Sequence, residues 1–217
     1  MIEMIRRGAG WIPAAAALLL LSLSVAALAE EPMPKKVDLS ASVRYSLPVG
    51  HEEGGMKWSD LYDPGWGGAL ELSYRARPRL AFHVGGAYDS YSAKEVLLST
   101  GAGPVSGRFN DQKLLSLYIG VRGYLLGTDL PQKSGGIDPY LRADVGMTQF
   151  NGAAFNGVPD GQRSRAFAFS VGIGADLLTY SNFILFLEGR YEDHGTPDQA
   201  GASFRAFPIS AGLRYLL

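Results

Sequence analysis

Apolar and polar residues alternate without exception along the stretch Val37-Asp38-Leu39-Ser40-Ala41-Ser42-Val43-Arg44-Tyr45-Ser46-Leu47. Successive side chains of a β-strand point to opposite faces, so a period of two indicates a strand with one apolar and one polar face. The apolar face has to be covered, either by the rest of the protein or by lipid. The remainder of the chain decides between these two arrangements.

Seven more segments repeat this alternation. They cover about residues 66–77, 80–89, 114–125, 139–149, 165–178, 183–192 and 205–217. The segments are about 10 to 14 residues long. That length suits a tilted membrane strand of roughly 9–11 residues better than an ordinary strand of about 5–6. The chain is therefore predicted to be all-β, with eight strands.

The connections between the segments alternate in length. Long polar connections follow the odd-numbered segments, at about 48–65, 90–112, 150–164 and 193–204. Shorter ones follow the even-numbered segments, at 77–79, 126–138 and 179–182. Long loops on one side and short turns on the other are typical of an outer-membrane barrel. The sequence thus predicts one domain over residues 30–217, an eight-stranded antiparallel up-and-down transmembrane β-barrel.

Residues 1–29 have the order of a secretory signal peptide. The pair Arg6-Arg7 precedes an uncharged apolar run over 14–28, and Ala27-Leu28-Ala29 forms a small-x-small cleavage site. About 15 apolar residues are few for a membrane-spanning helix, which needs roughly 20, so cleavage is favoured over an uncleaved anchor. We expect export, and a mature protein that begins near Glu30.

The overall composition excludes several kinds of site. The chain has 217 residues, no cysteine and a formal net charge of −1. Without cysteine there is no disulfide, no thiolate metal site, no cysteine nucleophile and no lipid attached to a cysteine. The nearly balanced charge gives no indication of a nucleic-acid partner.

The polar face of the segments carries charges of both signs. If the apolar face contacts lipid, these charges lie in the lumen, which in an eight-stranded barrel is just wide enough for side chains to fill. The alternative is a soluble, periplasmic, lipocalin-like barrel that binds a ligand, with its apolar face inside and its charges in water. We expect a lumen charge network made of Arg44, Glu71, Arg75, Arg122, Arg142, Asp144, Asp176, Glu188, Arg190 and Arg214.

Aromatic residues on the apolar face concentrate at two heights and favour the lipid-facing arrangement. Tyr74 and Tyr215 lie at the short-turn ends of their segments. The long-loop ends carry Tyr45, Trp66, Tyr88, Phe167, Tyr191 and Phe207. Amphipathic rings at two heights are expected where a membrane meets water on either side, and we predict two aromatic girdles.

The last eight residues, Ser210-Ala211-Gly212-Leu213-Arg214-Tyr215-Leu216-Leu217, resemble the terminal assembly signal of outer-membrane barrels. Its polar, glycine, aromatic and hydrophobic positions correspond to Ser210, Gly212, Tyr215 and Leu217, with leucine where that family commonly ends on phenylalanine. Over about residues 36–217 the chain resembles the small eight-stranded outer-membrane barrels of the OmpA, OmpX and OmpW type, without a peptidoglycan-binding domain after the last strand. The resemblance implies an outer-membrane location, with membrane lipid, lipopolysaccharide and the barrel-insertion machinery as partners.

The sequence favours a non-enzymatic function, which could be envelope structure, surface binding or a narrow channel for small solutes. No cofactor or metal ion is expected, because the three histidines are scattered. His83 is expected to fill the lumen near Glu71 or Arg122, while His51 and His194 fall in long loops. The enzymatic alternative is a lipid-modifying active site at the outer rim, formed from Glu188, Glu192, Asp193, His194 and Thr196. The oligomeric state and any ligand stay open.

Overall fold

The computed structural model describes residues 36–50, 56–100, 103–126, 136–151, 154–155, 158–159, 164–180, 182–196 and 203–217. The signal peptide predicted at 1–29 and the expected mature N-terminus lie outside the described residues. Within the ranges given above, no helix is long and apolar enough to cross a membrane.

The described chain consists of β-strands and one short helix. In order they are β1 (Lys36–Val49), α1 (Trp58–Leu61), β2 (Gly65–Arg77), β3 (Leu80–Tyr91), β4 (Glu95–Thr100), β5 (Gly103–Arg108), β6 (Gln112–Tyr124), β7 (Asp138–Phe150), β8 (Ala154–Phe155), β9 (Val158–Pro159), β10 (Ser164–Tyr180), β11 (Phe183–Asp193) and β12 (Arg205–Leu216). Eight of the strands form a closed antiparallel barrel in the order β1-β2-β3-β6-β7-β10-β11-β12. The predicted fold class is therefore confirmed.

The barrel closes because β1 pairs along its length with both β2 and β12. Val43 lies opposite Gly68 on one side and opposite Ala211 on the other. A closed sheet leaves no edge, so every strand can satisfy its backbone hydrogen bonds inside the protein, as lipid requires. The barrel strands are 11 to 17 residues long. Two β-bulges, after Arg75 in β2 and after Asp176 in β10, lie at the short-turn ends.

The long connections were predicted to be polar loops, and here the prediction is wrong in part. The first contains α1, the second contains the β4–β5 hairpin, and the third contains the two-residue strands β8 and β9. These elements were not predicted from the sequence, because they are much shorter than a membrane strand. A strand of six residues or a helix of four does not build up a long alternating pattern.

Most apolar side chains of the eight barrel strands face outward, although a few, such as Ile184 and Phe186 on β11, are buried inside. Val43, Leu70 and Leu117, on three different strands, are each more than 60% exposed. The intervening polar side chains face inward and are buried. This is the inverse of a lipocalin-like cup, in which the apolar face lines the interior. The outer surface of the barrel is suited to lipid rather than to water.

Candidate functional site

All ten charged residues predicted for the lumen lie inside the barrel, and each is at most 7% exposed. Asp38, Asp89 and Glu192 join them from the polar faces of β1, β3 and β11. Six arginines and seven carboxylates are thus buried among the residues that the structure describes. Because a lone buried charge is costly, their pairing decides whether this interior is stable.

A lower layer of the lumen, at the short-turn end, is centred on Arg214. Its guanidinium contacts Asp176 at 2.7 Å and Asp38 at 3.2 Å, and it donates to the Tyr124 hydroxyl at 3.2 Å. The Arg75 guanidinium lies 3.6 Å from the centroid of the Tyr124 ring, a cation–π contact. The lower layer therefore closes this end of the lumen with paired charges and an aromatic ring.

A middle layer is centred on Arg142, which is shared by three carboxylates. Its guanidinium lies 2.8 Å from Glu71, 2.8 Å from Asp144 and 3.3 Å from Glu188. Arg122 lies directly opposite Arg142 in the pairing of β6 with β7. Two like charges in such a position repel each other. Here one Glu71 oxygen contacts Arg122 and the other contacts Arg142, so the carboxylate bridges the two cations.

His83 reaches this middle layer through a gap that a glycine provides. Its Nε2 lies 2.5 Å from an oxygen of Asp144, a partner that the sequence did not indicate. His83 on β3 and Asp144 on β7 are both register neighbours of Gly120, which lies between them on β6. A Cβ built at Gly120 would overlap the imidazole, the Asp144 carboxylate and the Ala143 carbonyl oxygen. The contact therefore depends on glycine at this position.

We expect Gly120→Ala to lower the free energy of unfolding by about 1–3 kcal/mol, the usual cost of overpacking a filled interior. Gly189→Ala is the matched control, because its Cβ would lie 3.6 Å from the Phe207 ring, at an ordinary contact distance. Urea titrations of both variants in lipid vesicles measure the difference. Equal stability of the two variants would contradict the role assigned to Gly120.

An upper layer, toward the long loops, joins Arg44 to a histidine. The Arg44 guanidinium contacts Glu192 at 2.7 Å and Asp89 at 3.0 Å. The His194 Nε2 lies 3.3 Å from Glu192, and its Nδ1 lies 3.0 Å from the Thr148 hydroxyl. His194 was predicted to lie in a loop, but it follows β11 directly and is 2% exposed, so its side chain belongs to the lumen.

The rim site that the sequence suggested is therefore not formed in the predicted way. Thr196, the expected nucleophile, is exposed, whereas the imidazole of His194 contacts Thr148 inside the barrel. Thr148 is completely buried and also hydrogen-bonds the Ser116 hydroxyl at 2.8 Å. The contact of Thr148 with His194 could not be predicted from the sequence, because only the pairing of the strands brings the two side chains together. Within the described residues, no group of three or more acidic, histidine or cysteine side chains could hold a metal ion.

A small cavity lies between the middle and upper layers. Its volume is about 30 Å³, and polar groups of Ser116, Ser170, Arg190 and His194 are among its lining. About 10–15 Å³ is needed for one water molecule, so this cavity suits one or two waters and no larger solute. The charged layers thus fill almost all of the lumen.

An apolar cap closes the long-loop end of the lumen. Trp58 of α1 packs on Phe204 with ring centroids 5.1 Å apart, and its indole N–H donates to the Ser203 carbonyl at 3.1 Å. Tyr91, at the end of β3, lies 5.2 Å from Phe204 and hydrogen-bonds Ser46 at 2.7 Å. The buried residues of this cap are Trp58, Leu61, Tyr62, Tyr91, Ala93, Val96, Leu114, Phe150, Phe204 and Ala206.

The cap could not be predicted because most of its residues fall in segments expected to be polar loops, and only Leu114 and Ala206 lie in predicted strands. One signal was present, since Trp58, Leu61 and Tyr62 have the i, i+3, i+4 spacing of a helix with one apolar face. Phe204 carries no comparable pattern. Its role follows only from the fold, which brings the fourth long connection to the first.

The aromatic residues predicted as girdles lie on the outward face at the two expected heights. Tyr45 and Trp66 pair across β1 and β2, with ring centroids 4.9 Å apart. At the short-turn end Tyr215 packs on Phe183 at 5.0 Å, and Tyr74 lies opposite Phe82. The outward face also carries the remaining predicted rings, Tyr88, Phe167, Tyr191 and Phe207. Phe82 and Phe183 extend the predicted set at the short-turn end.

The four residues predicted as an assembly signal lie on β12 or directly after it. Ser210 faces the lumen, while Tyr215 and Leu217 are exposed. A Cβ at Gly212 would meet the Ala41 carbonyl and the Phe186 ring, so the strands approach closely there. Recognition of this segment by the insertion machinery stays a prediction.

The base of the β4–β5 hairpin is fixed by Asp111, above the barrel. One carboxylate oxygen of Asp111 accepts a hydrogen bond from the Ala93 amide at 3.0 Å and one from the Arg108 guanidinium at 3.0 Å. The Ala93 amide is the main cause of a lowered pKa of Asp111, and Arg108 adds to it. The hairpin is thereby tied to the segment that leaves β3.

Solved structures of outer-membrane proteins share this architecture. The outer membrane protein OprG from Pseudomonas aeruginosa superposes with a TM-score of 0.52 at 13% identity, over 86% of this chain and 97% of that one. A major outer membrane protein from Thermus thermophilus gives a TM-score of 0.52 at 14% identity, over 85% of this chain and 100% of that one. This chain has the fold of the outer-membrane β-barrels.

Neisserial surface protein A is also similar, with a TM-score of 0.49 at 18% identity, over 86% of this chain and 99% of that one. No protein-family model and no curated protein matches the sequence. At these identities the similarity extends to the barrel fold alone, and the function has to be argued from the lumen, the cap and the surface.

Proposed function

We propose that this protein is a non-enzymatic barrel of the outer membrane that conducts no solutes and holds a structured surface on its long-loop side. The observation that carries this proposal is the closed lumen, filled by three charged layers and covered by the apolar cap. Envelope structure and surface contact are the roles that such a barrel can perform.

The membrane location is supported by the height of the exposed apolar belt. Trp66 and Tyr74 mark its two boundaries on β2, eight residues apart. At roughly 3.3 Å per residue and a tilt of about 40°, they are separated by on the order of 20 Å along the barrel axis. An outer-membrane barrel presents an apolar band of about 25 Å between its aromatic girdles, so the two heights agree.

The contents of the lumen support the proposal that the barrel conducts no solutes. The water-filled channels of porins belong to barrels of about 16–18 strands, whereas eight strands leave room only for side chains. Arg214, Arg142 and Arg44 each occupy the lumen at a different height and are held by two or three carboxylates. An ion would have to break these pairs and then pass the cap.

The enclosure of the lumen also argues against a hydrolase. Thr148, His194 and Glu192 have the residue types of a nucleophile, a base and an acid. Thr148 is 0% exposed, however, and Glu192 is already held by Arg44. A lipid substrate has no path to the hydroxyl, so these residues serve the structure of the upper layer.

The described parts of the first and second long connections support a folded surface on this side of the barrel. The Asp63 backbone amide donates to the Ser92 carbonyl, and the Lys94 backbone amide donates to the Leu61 carbonyl. These two hydrogen bonds connect the α1 segment to the start of the β4–β5 hairpin. Leu97 of the hairpin is 72% exposed. This fixed, partly apolar surface supports a role in contact with other surface components.

The test combines location and conductance. We expect the full chain to fractionate with the outer membrane, to change its gel mobility on heating, and to produce no current steps in planar bilayers. A porin inserted under the same conditions is the positive control for conductance. Recovery from the soluble periplasm would overturn the location, and steady current steps would overturn the closed lumen.

A further inference from the structure

We propose that Lys113, Gln149 and Arg165 form a binding site for the phosphate group of a lipid headgroup in the outer leaflet. This inference rests on the proposed outer-membrane location, with the long loops facing outward. The three residues lie on the adjacent strands β6, β7 and β10, at their long-loop ends. Lys113 and Arg165 are exposed.

The strand register brings these side chains together on the lipid-facing surface. Gln149 lies opposite Arg165 on β10 and opposite Leu115 on β6. Lys113 precedes Leu115 by two residues and therefore points to the same side. Neighbouring strands are about 4.8 Å apart, so roughly 10 Å separates β6 from β10 across β7. Lys113 also lies two residues, or about 7 Å, beyond the position that is level with Arg165, so about 12 Å separates the two Cα atoms. Two long cationic side chains can reach a common phosphate over that distance.

The height of the site matches the headgroup region. Directly below Lys113 and Arg165, on the same face, lie Leu115, which is 48% exposed, and Phe167, which is 65% exposed. Phe167 belongs to the upper aromatic girdle, where hydrocarbon gives way to the polar interface. A cation one step above the girdle lies at the level of lipid phosphates, where charge-assisted hydrogen bonds are available to it.

Neither cation forms an ion pair with a described neighbouring acid, although the charge of Asp111 interacts with that of Lys113. Among the described residues, no carboxylate oxygen lies within 4.0 Å of the Lys113 ammonium or the Arg165 guanidinium. Asp111 is the closest acid along the chain, and it is engaged with Arg108 and the Ala93 amide. Arg205 lies on the outward face of β12 and, unlike Lys113 and Arg165, is paired with an acid. Its Nε lies 3.0 Å from a carboxylate oxygen of Asp193.

The backbone around the site is fixed before any lipid arrives. The side chain of Asn151 accepts from the Lys113 amide at 2.7 Å and donates to the Asp111 carbonyl at 2.7 Å, which ties β6 to β7. Arg165 donates through Nε to the side-chain amide oxygen (Oε1) of Gln149 at 3.3 Å. The remaining guanidinium N–H groups and the Gln149 amide N–H groups are then free to face a phosphate.

The test measures binding of lipopolysaccharide with a bisphosphorylated lipid anchor to the full chain in uncharged maltoside micelles. We expect Lys113→Gln combined with Arg165→Gln to weaken binding by about tenfold, since two charge-assisted contacts are lost. Lys57→Gln combined with Lys94→Gln is the control, because it removes the same charge above the belt, from the exposed Lys57 and from the partly exposed Lys94, which pairs with Asp63. The heat-dependent gel shift shows that each variant is folded.

Two further probes identify the ligand chemistry. Dephosphorylated lipopolysaccharide should bind the wild type and the double variant equally weakly, and millimolar inorganic phosphate should not displace the lipid. The proposal is overturned if the double variant binds like the wild type, if the control pair weakens binding as much, or if the phosphate-free lipid binds as well. Displacement by inorganic phosphate overturns the assignment to a lipid. Location and conductance are measured separately, so a failed lipid site leaves the proposed function testable.

Discussion

Replacing Arg142 with methionine should lower the free energy of unfolding by about 3–5 kcal/mol, the usual cost of removing one partner from a buried ionic cluster. Without the guanidinium, the carboxylates of Glu71, Asp144 and Glu188 face one another in an interior that excludes most water. Arg122 still contacts Glu71, and Arg190 still contacts Glu188 at 3.0 Å and Asp144 at 3.5 Å. The three carboxylates nevertheless lose the one cation that they share. Urea titration in lipid vesicles, with the heat-dependent gel shift as the measure of the folded fraction, gives the decrease in the free energy of unfolding.

The matched control is Arg108→Met on the β4–β5 hairpin. Arg108 also pairs with a carboxylate, that of Asp111, but both side chains are about half exposed. Exposed pairs contribute little, so this change should stay within about 0.5 kcal/mol. Adding Glu188→Gln to Arg142→Met should restore part of the loss by removing one of the opposed charges. A loss below about 1 kcal/mol for Arg142→Met would contradict the central position given to Arg142.

Trp58→Ala should detach the apolar cap while the barrel below it stays closed. Truncating a buried tryptophan usually costs about 3–5 kcal/mol, and here the Ser203 carbonyl also loses its indole donor. The loss falls on the cap, because the barrel strands keep their backbone pairs and charged layers. Faster proteolysis of the first and fourth long connections, with an unchanged heat-dependent gel shift, is the expected result.

Trp66→Ala is the control for the cap, because it makes the same truncation at a ring that is 63% exposed in the upper girdle. That variant should leave the proteolysis rate of the long connections unchanged. The planar-bilayer current should also stay at zero for Trp58→Ala, since Arg44 and the layers below it still fill the lumen. Equal proteolysis of both variants would contradict the cap.

The barrel could be predicted from the sequence because alternation is a local signal. Each segment shows by itself which side chains share a face, and eight such segments with alternating connection lengths leave few arrangements. The ten lumen charges follow from the same parity, so their burial needed no knowledge of the pairing. The lumen positions of Asp38 and Glu192 follow from the same alternation.

The contacts inside the lumen could not be predicted in this way, because they depend on strand register. His83 meets Asp144 only because Gly120 lies between them, and Thr148 meets His194 only because β7 and β11 are the two neighbours of β10. The cap depends on loop packing, which has no period. Helical spacing marked Trp58 as an anchor, but nothing marked Phe204 as its partner.

The seam between β1 and β12 also has a consequence for the order in which the molecule forms. Its partners, such as Val43 and Ala211, lie far apart in the sequence, so the ring cannot be completed before β12 has been synthesised. Any partial sheet would carry two open edges and a fully exposed apolar face, a species prone to aggregate. Pairings this distant in sequence also form slowly. We therefore expect the barrel to close in one late, cooperative step, after β12 has become available to pair with β1.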